Sequence, residues 1–257
     1  MSAALQEELT VTDFTRLRLP AWDGIPGLVH AFLGRLDHLD SDPPDCARGG
    51  RDPICHVKKA LALEGRTITI LKQVHGDRIV DVGDPAPKFK GEGDALATGS
   101  PGIFIGVNTA DCLPILIVDP KQRVCAAVHA GWRGTRAGIA EKTVSHLRLR
   151  YGCDPSNLRA ALGPAIGRCC FEVGPEVIEA FEQKMGKRIE DYVDRRGEKG
   201  LMDLRGLNRY ALAEAGLDAD HVETVGPCTF CEPENFHSYR HAGGAEGRQL
   251  SFAGFLP

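Results

Sequence analysis

Two apolar segments separated by a short turn constrain the fold of this chain more than any other feature. Residues 113–118 and 123–128 are strand-length apolar runs, and only Asp119-Pro120-Lys121-Gln122 lies between them. Short runs of this kind on either side of a turn-forming segment are typical of a β-hairpin. The sequence therefore predicts an antiparallel pair of buried strands at the centre of the fold.

The register of this hairpin determines which side chains meet. A loop of two or four residues places Val118 opposite Arg123, and counting outward then places Cys112 opposite His129. Opposed residues lie on one face with Cβ atoms roughly 4.5–5.5 Å apart, so a thiolate and an imidazole there can share a metal ion or form a nucleophile and its base. A three-residue loop would put them on opposite faces. Pro114 cannot donate to a ladder, which predicts looser pairing near the Cys112 end.

The rest of the chain predicts helices around this sheet. The central strands are apolar on both faces, which is typical of a sheet covered on both sides. Helical spacing is found at about 135–151, from Pro175 onward and at 203–216. We therefore predict an α/β (α+β) fold with a mixed sheet in three α/β/α layers. No repeat or compositional break divides residues 1–257, which we treat as a single domain.

Composition limits the partners and the compartment. A net charge of −4 and a pI near 6.1 argue against a nucleic-acid-binding protein. The apolar runs are far shorter than the ~20 residues of a membrane-spanning helix, and the first ten residues lack signal-peptide features. Nine scattered cysteines, an odd number, fit a reducing compartment better than a disulfide framework. We expect a cytoplasmic protein with no membrane or nucleic-acid partner, and the sequence does not predict its oligomeric state.

Three residues are candidates for a metal site. His75 follows a predicted strand and precedes a glycine, and it joins Cys112 and His129 as a third possible ligand. One cysteine and two histidines leave one position of a tetrahedral Zn²⁺ open, which is typical of catalytic zinc. Taken singly, each residue is better explained as a turn histidine or a buried thiol, but the predicted juxtaposition of Cys112 and His129 weakens that explanation for these two.

Two further motifs have both a structural and a functional interpretation. The turn from Gly131 to Gly134 can hold an anion on its backbone amides beside Arg133, or it can simply turn the chain sharply from strand to helix. Cys228 and Cys231 can form half of a zinc ribbon, with the adjacent Cys169-Cys170 as the other half. Adjacent cysteines are poor partners for tetrahedral closure, so the sequence disfavours that second site.

Six segments resemble one protein family, in the same order along the chain. They are KQVHGDRIV, EGDALAT, GVNTADCLPILIVD, VHAGWRGT, LGPAIGRCCFEVG and CTFCEPENFHSYRH, and together they cover most of residues 66–241. The sequence resembles the laccase-like family of the YfiH type, whose members are described as multicopper polyphenol oxidases, peptidoglycan editing factors and purine nucleoside phosphorylases.

The resemblance implies a fold similar to cysteine hydrolases of the cytotoxic necrotizing factor type. It also implies a metal, usually zinc, on His75, Cys112 and His129. The implied activity is phosphorolysis of adenosine, inosine, guanosine and methylthioadenosine, with adenosine deamination as an additional reaction, so a nucleoside and phosphate are the expected ligands. The laccase label implies Cu²⁺ and phenol oxidation instead.

The chain departs from the family pattern near its start and in its tail. The family usually has a Phe-Ser-x-Arg-x-Gly-Gly segment, where this chain has Phe32-Leu33-Gly34-Arg35-Leu36-Asp37-His38 followed by an atypical loop over 36–54. Arg35 aligns with the family's substrate-side arginine. Arg240-His241 stands where the family often has two arginines.

Several functions remain open on this sequence. In a zinc-dependent nucleoside enzyme, Arg35, Arg133 or Arg240 would hold the phosphate. In a metal-free hydrolase acting on peptidoglycan precursors, Cys112 would be the nucleophile, His129 its base, and Asp111 or Asp94 the residue that orients the base. Copper oxidation is disfavoured, because a laccase needs many histidines and this chain has nine with no His-x-His pair. A binding protein in which zinc only pins the hairpin is the least favoured function, because an open coordination position beside loops forms a pocket.

Overall fold

The computed structural model describes residues 16–36, 54–244 and 247–257. Their strands are β1 (Arg16–Leu17), β2 (Leu28–Leu33), β3 (Ile68–Lys72), β4 (Ile79–Asp81), β5 (Phe89–Glu92), β6 (Ala95–Thr98), β7 (Phe104–Thr109), β8 (Leu113–Asp119), β9 (Val124–Ala130), β10 (Arg159–Leu162), β11 (Glu172–Val173), β12 (Val193–Arg196), β13 (Lys199–Met202), β14 (Val222–Thr224) and β15 (Gln249–Phe255). Their α-helices are α1 (Ile54–Ala60), α2 (Trp132–Ala137), α3 (Ile139–Tyr151), α4 (Pro175–Met185), α5 (Leu204–Glu214) and α6 (Tyr239–Ala242).

The described strands form two six-stranded sheets and one small sheet. The first sheet has the order β1-β2-β15-β7-β3-β5, and the second has the order β14-β10-β8-β9-β6-β4. Both sheets combine parallel and antiparallel pairs. The third sheet, β11-β13-β12, has three strands. The predicted α/β class with mixed strand direction is confirmed.

The two large sheets pack face to face around β8 and β9. Leu116 and Val118 point into this interface, where they meet Phe32 and Phe255 of the first sheet in one buried cluster. The alternate residues of β8, such as Ile115, point to the other face, where helices α3, α4 and α5 cover them. Both faces of the strands are therefore apolar, since one face packs on a sheet and the other on helices.

The layers differ from those predicted in one respect. The second sheet has helices on only one of its faces. The first sheet covers the other face, where the sequence predicted a second layer of helices. Helix α1 lies beyond that sheet, where Val57 packs against Phe104 and Phe252. A buried sheet face requires an apolar partner, and the hydrophobic pattern of the strand does not specify whether a helix or a second sheet supplies it.

The hairpin forms, but its register is shifted by two residues from the prediction. Val118 pairs with Cys125, and Pro114 pairs with His129. The loop begins one residue later than expected, because the Asp119 side chain remains in the strand and accepts hydrogen bonds from the amides of residues 121 and 122 at 2.9 and 3.0 Å. Arg123 closes the loop in the left-handed region, with φ of 54°. The direct pairing of Cys112 with His129 is therefore wrong.

An even shift in register preserves the face on which each side chain lies. Continuing the observed pairing outward places Cys112 opposite Gly131, on the same face as His129. The expected loosening at Pro114 is not observed, because the ladder continues to Leu113 and the Pro114 carbonyl accepts from the Gly163 amide at 2.9 Å. The sequence thus predicts the correct face and the wrong partner.

Other elements also differ from the sequence prediction. The helix expected at about 135–151 begins earlier, at Trp132, and Gly138 interrupts it with a left-handed φ of 84°. The small β11-β13-β12 sheet was not predicted, because its strands are short and mostly polar. Residues 37–53, which form most of the predicted long loop, lie outside the described residues. None of the helices in the described segments combines the length and apolarity needed to cross a bilayer.

Candidate metal centre and pocket

A cavity of about 570 Å³ opens at one end of the interface between the two large sheets. Leu71 and Gln73 at the end of β3, together with Asn108 of β7, form the side contributed by the first sheet. Cys112 and His129 form the side contributed by the second sheet. The site therefore lies where the two sheets separate and their strand ends are no longer covered.

His75, Cys112 and His129, which we call the pocket cluster, meet on the wall of this cavity. One potential ligand atom from each lies within 4.8 Å of the others. The imidazole rings of His75 and His129 are 4.8 Å apart and nearly perpendicular, at 78°. His129 is buried, Cys112 is partly buried and His75 is exposed. The three residues named from the sequence are thus adjacent in space.

Asp94 fixes the orientation of two members of the pocket cluster. Its buried carboxylate accepts a hydrogen bond of 2.8 Å from Nδ1 of His129. The same carboxylate accepts from the backbone amides of Val74, His75 and Gly76 at 2.7–3.3 Å. These bonds hold the turn on which His75 adopts a φ of 59°, in the left-handed region. With Nδ1 of His129 occupied by Asp94, Nε2 is available as a ligand.

The electrostatics of the cluster favour the thiolate form of Cys112. Burial alone would raise the pKa of Cys112, but hydrogen bonds from His129 and His75 lower it to about 6. Burial likewise opposes the charged form of His129, yet its bonds to Asp94 and Cys112 raise its pKa to about 9. The hydrogen bonds from His129 and the backbone amides also hold the pKa of Asp94 below its ordinary value against burial. A thiolate beside an imidazole suits either metal ligation or nucleophilic attack.

Asp111 does not orient His129. Its carboxylate accepts a hydrogen bond of 2.6 Å from the hydroxyl of Thr229 and one of 2.7 Å from the backbone amide of Arg240. Asp111 has a φ of 81°, so the residue before Cys112 is held in a left-handed turn. Asp111 therefore links the segment that bears Cys112, just before β8, to the loops that contain Thr229 and Arg240, while Asp94 occupies the orienting position.

The candidate arginines are divided between two locations. Arg133 and Arg240 both line the cavity, and the guanidinium of Arg133 stacks on the Trp132 ring at 4.3 Å. Arg35 is not among the residues that line it; its guanidinium donates to the carbonyl of Pro233 at 3.1 Å beside a separate, smaller cavity. Of the two alignments suggested by the family resemblance, the structure brings only Arg240 to the pocket cluster.

Several residues that line the cavity were not predicted from the sequence. Arg248 adds a third guanidinium among the described lining residues, and Phe171 and Tyr239 add aromatic rings. Gln73 and Asn108 form a reciprocal pair in which the Gln73 side chain bonds to both the carbonyl and the amide of Asn108, at 2.7 and 2.8 Å. Gln73 and Asn108 lie within the KQVHG and GVNTADC motifs, so motif position was the one available signal for them.

The pocket cluster fits a divalent transition metal. Two imidazoles and one thiolate are the ligand types that zinc takes, and three ligands on a cavity wall leave one position facing the open space. The bond from Asp94 to Nδ1 of His129 is the support that metal-binding histidines usually have. Cys112 and His75 leave little room for a side chain at position 131, since a Cβ on Gly131 would lie 3.0 Å from Sγ of Cys112 and 3.2 Å from the His75 ring.

Comparison with known proteins identifies the family to which this chain is similar. Residues 45–255 match the family model described as multi-copper polyphenol oxidoreductase laccase. The purine nucleoside phosphorylase YfiH of Escherichia coli is 40% identical over 248 residues, which cover 93% of this chain and 98% of that protein. Adenosine deaminase RL5, from an unknown prokaryotic organism, is 42% identical over 176 residues, which cover 68% of this chain and 66% of that protein.

Solved structures show the same fold. The crystal structure of YlmD from Geobacillus stearothermophilus matches with a TM-score of 0.81 at 28% identity, covering 94% of this chain and 96% of that chain. The Bacillus licheniformis hypothetical protein YfiH matches with a TM-score of 0.82 at 28% identity, covering 93% and 96%. The paired sheets that form the cavity are therefore shared with these proteins.

Proposed function

Because this chain belongs to the multi-copper polyphenol oxidoreductase laccase family of the YfiH type, we propose that it is a zinc-dependent purine nucleoside phosphorylase. The observation on which the proposal depends is the cavity, in which the pocket cluster and three arginines, Arg133, Arg240 and Arg248, line one space. A metal-type cluster beside several cations suits a substrate pair of which one member is a phosphate.

The cavity has the size and the groups that a nucleoside and a phosphate need. Its volume of about 570 Å³ is in the usual range for small-molecule sites. Phe171 and Tyr239 supply aromatic surface for a purine ring. The guanidinium groups can bind phosphate oxygens through paired hydrogen bonds.

Phosphorolysis asks little covalent chemistry of the protein. A phosphate oxygen bonds to the ribosyl carbon, the glycosidic carbon–nitrogen bond breaks, and the purine leaves with the electron pair and takes up one proton. Arg133 and Arg240 would hold the phosphate and offset its charge, and the Asp111 bond to the Arg240 amide would position that arginine. A zinc ion bound by the pocket cluster would supply Lewis-acid charge stabilisation on the same wall.

Changing Cys112 tests the role of the pocket cluster. We expect Cys112→Ser to lower bound zinc by one ion per chain and to abolish phosphate-dependent release of hypoxanthine from inosine, because a hydroxyl is a far poorer zinc ligand than a thiolate. Metal mass spectrometry and chromatography of inosine and adenosine, with and without phosphate, give both quantities. A wild-type protein that contains zinc but leaves both nucleosides unchanged would exclude the proposal.

Changing Arg240 tests the phosphate assignment. We expect Arg240→Ala to raise the KM for phosphate roughly 10–100-fold, which corresponds to the loss of a charged hydrogen bond, with a smaller change for the nucleoside. Arg195→Ala is the matched control, because Arg195 pairs with Glu182 and Glu190 on the surface and is not among the residues lining the cavity. Equal changes in both KM values would contradict the assignment.

A hydrolase is the second candidate, favoured by one observation. Asp94, His129 and Cys112 are arranged as orienting acid, base and nucleophile, and the pKa of Cys112 is lowered to about 6. Such an enzyme would cleave an acyl bond, as in peptidoglycan precursors, through a thioester. If Cys112→Ser lost turnover of such a substrate and kept its zinc, the hydrolase would be favoured over the phosphorylase.

Two other reactions follow from the names of relatives. Adenosine deamination is the next reaction to assay, because the chain is 42% identical to adenosine deaminase RL5 over 176 residues; ammonia release from adenosine measures it. Copper oxidation of phenols is not proposed. The described residues bring two histidines to the pocket cluster, whereas the trinuclear centre of a laccase needs many more.

A further inference from the structure

A second group of potential metal ligands lies outside the cavity. Cys169 and Cys170, which follow β10, meet Cys228 and Cys231, which follow β14, and all four sulfur atoms lie within 4.8 Å of one another. We call these four residues the cysteine cluster. We propose that the cysteine cluster binds a structural zinc ion, separate from any ion at the pocket cluster. The inference goes beyond the proposed function and does not depend on it.

The spacing of the sulfur atoms fits one tetrahedral ion. With zinc–sulfur bonds of about 2.3 Å, tetrahedral geometry separates the sulfurs by about 3.8 Å. Sγ of Cys231 lies 3.8 Å from Sγ of Cys169 and 3.4 Å from Sγ of Cys170. A disulfide would need about 2.05 Å, and all four cysteines are free thiols.

The backbone around Cys228 and Cys231 is folded as a tight metal-binding turn. The amides of Cys231 and Glu232 both bond to the carbonyl of Cys228, at 3.1 and 3.2 Å. The Gly167 amide donates to Sγ of Cys228 at 3.1 Å. Amide donors to sulfur stabilise a thiolate ligand and fix its direction, as outer-shell partners do in other metal sites.

A positive charge lies beside the cysteine cluster. The guanidinium of Arg205 is held beside Cys228 by the carbonyl oxygens of Ala165 and Pro227. A nearby positive charge offsets part of the net negative charge of a zinc ion bound by four thiolates.

The objection to adjacent cysteines as ligands does not hold in this fold. The amides of Cys170 and Phe171 both bond to the carbonyl of Gly167 at 3.0 Å, which turns the chain sharply at this point. Both sulfurs of the adjacent pair therefore reach Cys231. A Cβ on Gly167 would lie 3.2 Å from both Sγ of Cys169 and Cβ of Cys228, so this close approach leaves little room beside the glycine.

The location of the cluster indicates what the ion would stabilise. Phe171, which follows Cys170, lines the cavity, and Thr229, which follows Cys228, donates to Asp111 beside Cys112. Binding one ion would join the loop after β10 to the loop after β14, which together form this wall. The zinc would thus hold the pocket wall without contacting substrate.

Counting zinc in four forms of the full chain tests the proposal. We expect Cys231→Ser to hold one zinc ion fewer per chain than the wild type, and Cys112→Ser to keep the zinc of the cysteine cluster, measured by metal mass spectrometry after gel filtration. If the pocket cluster also binds zinc, the counts are two in the wild type, one in each single variant and none in the double variant. Cys125→Ala, which removes a buried thiol outside both clusters, is the matched control and keeps the zinc content of the wild type. One zinc in the wild type, unchanged in Cys231→Ser, would overturn the proposal, as would one iron in place of the second zinc.

Two further measurements keep the test decisive if Cys231→Ser folds poorly. Cys169→Ser alters an exposed member of the cluster and should also lose one zinc, with a fall in Tm of roughly 5–10 °C. Cobalt added to metal-free Cys112→Ser should give the visible absorption and thiolate charge-transfer bands of a tetrahedral sulfur site. Absence of these bands would overturn the proposal of a zinc site at the cysteine cluster. A wild-type protein that turns over no nucleoside would contradict only the proposed function.

Discussion

The pocket cluster and the cysteine cluster are two groups of potential metal ligands that differ in number, in type and in surroundings. The pocket cluster offers three ligands, two of them imidazoles, on the wall of an open cavity of about 570 Å³. The cysteine cluster offers four sulfurs at the turn of two surface loops. Three ligands leave a position for substrate, while four ligands close the coordination sphere. The number of ligands and their surroundings therefore suit the pocket cluster to chemistry and the cysteine cluster to structure.

The two clusters also differ in what holds them. A buried carboxylate, Asp94, supports the pocket cluster through His129 and the turn at His75. Backbone amides support the cysteine cluster, chiefly through Gly167 and Cys228. One conservative substitution can remove hydrogen bonds made by a side chain, whereas hydrogen bonds donated by backbone amides remain when a side chain is changed. The pocket cluster should therefore be the more sensitive of the two to mutation nearby.

The largest expected effect comes from Asp94→Asn. The amide cannot accept the same bonds from His129 and the three backbone amides, so we expect zinc affinity at the pocket cluster to fall roughly 10–100-fold. Titration with a competing chelator measures this affinity, and zinc at the cysteine cluster should be unchanged. Glu92→Gln, in an exposed ion pair with Lys72, is the control. Equal loss at both clusters would mean that Asp94 acts on global stability instead.

A pair of glycine substitutions sharpens the comparison. Gly131→Ala would place a Cβ 3.0 Å from Sγ of Cys112, and Gly167→Ala would place one 3.2 Å from Sγ of Cys169. We expect each to weaken zinc at its own cluster about tenfold, since ligand misplacement costs on the order of 1.4 kcal/mol. Only Gly131→Ala should also lower turnover strongly. The two variants are controls for each other, and crossed effects would show that the clusters are not independent.

The smallest effect is expected at the hydrogen bond between Thr229, which follows Cys228 of the cysteine cluster, and Asp111, which precedes Cys112 of the pocket cluster. Thr229→Val removes the buried hydroxyl that donates to Asp111 at 2.6 Å. We expect the free energy of unfolding to fall by about 1–3 kcal/mol, because a buried carboxylate oxygen loses its partner. Zinc content should remain unchanged. Denaturant unfolding measures the stability, and Thr224→Val provides the baseline for loss of an exposed hydrogen bond, since the Thr224 hydroxyl accepts from the Arg209 guanidinium at 3.1 Å. No change in stability relative to that baseline would contradict a structural role for this contact.

The sequence predicted residue types and faces better than partners. The sequence predicted the pocket cluster because Cys112 and His129 lie at the open ends of the two hairpin strands, on one face, and His75 follows another predicted strand. The register was missed because it depends on whether Asp119 lies in the strand or the loop, a choice made by its own hydrogen bonds to the turn. Asp94 was one of two proposed orienting residues, and only tertiary contacts distinguish it from Asp111.

Other features depend on contacts that no local pattern records. One face of the second sheet is covered by the first sheet, which contains strands from both ends of the sequence, β2 and β15. The pairing of β2 with β15 is entirely long-range. The sequence disfavoured the cysteine cluster because Cys169 and Cys170 are adjacent, and adjacent cysteines are poor partners for tetrahedral closure. The turn at Gly167 brings both thiols to one point, and the sequence alone does not reveal this turn. Arg248 lies just beyond the resembling motifs, so nothing in its neighbourhood marked it as a cavity residue.

The position of β15 has a consequence for the order in which the protein can assemble during translation. β15 lies between β2 and β7, so the first sheet stays divided until residue 255 has left the ribosome. The pocket cluster and Asp94 lie within residues 75–129, on and beside a hairpin whose pairing is local. Local pairings form faster than distant ones. The nascent chain can therefore present the pocket cluster well before Tyr239, Arg240 and Arg248 arrive to complete the cavity, so binding of the proposed zinc ion can precede completion of the proposed substrate site.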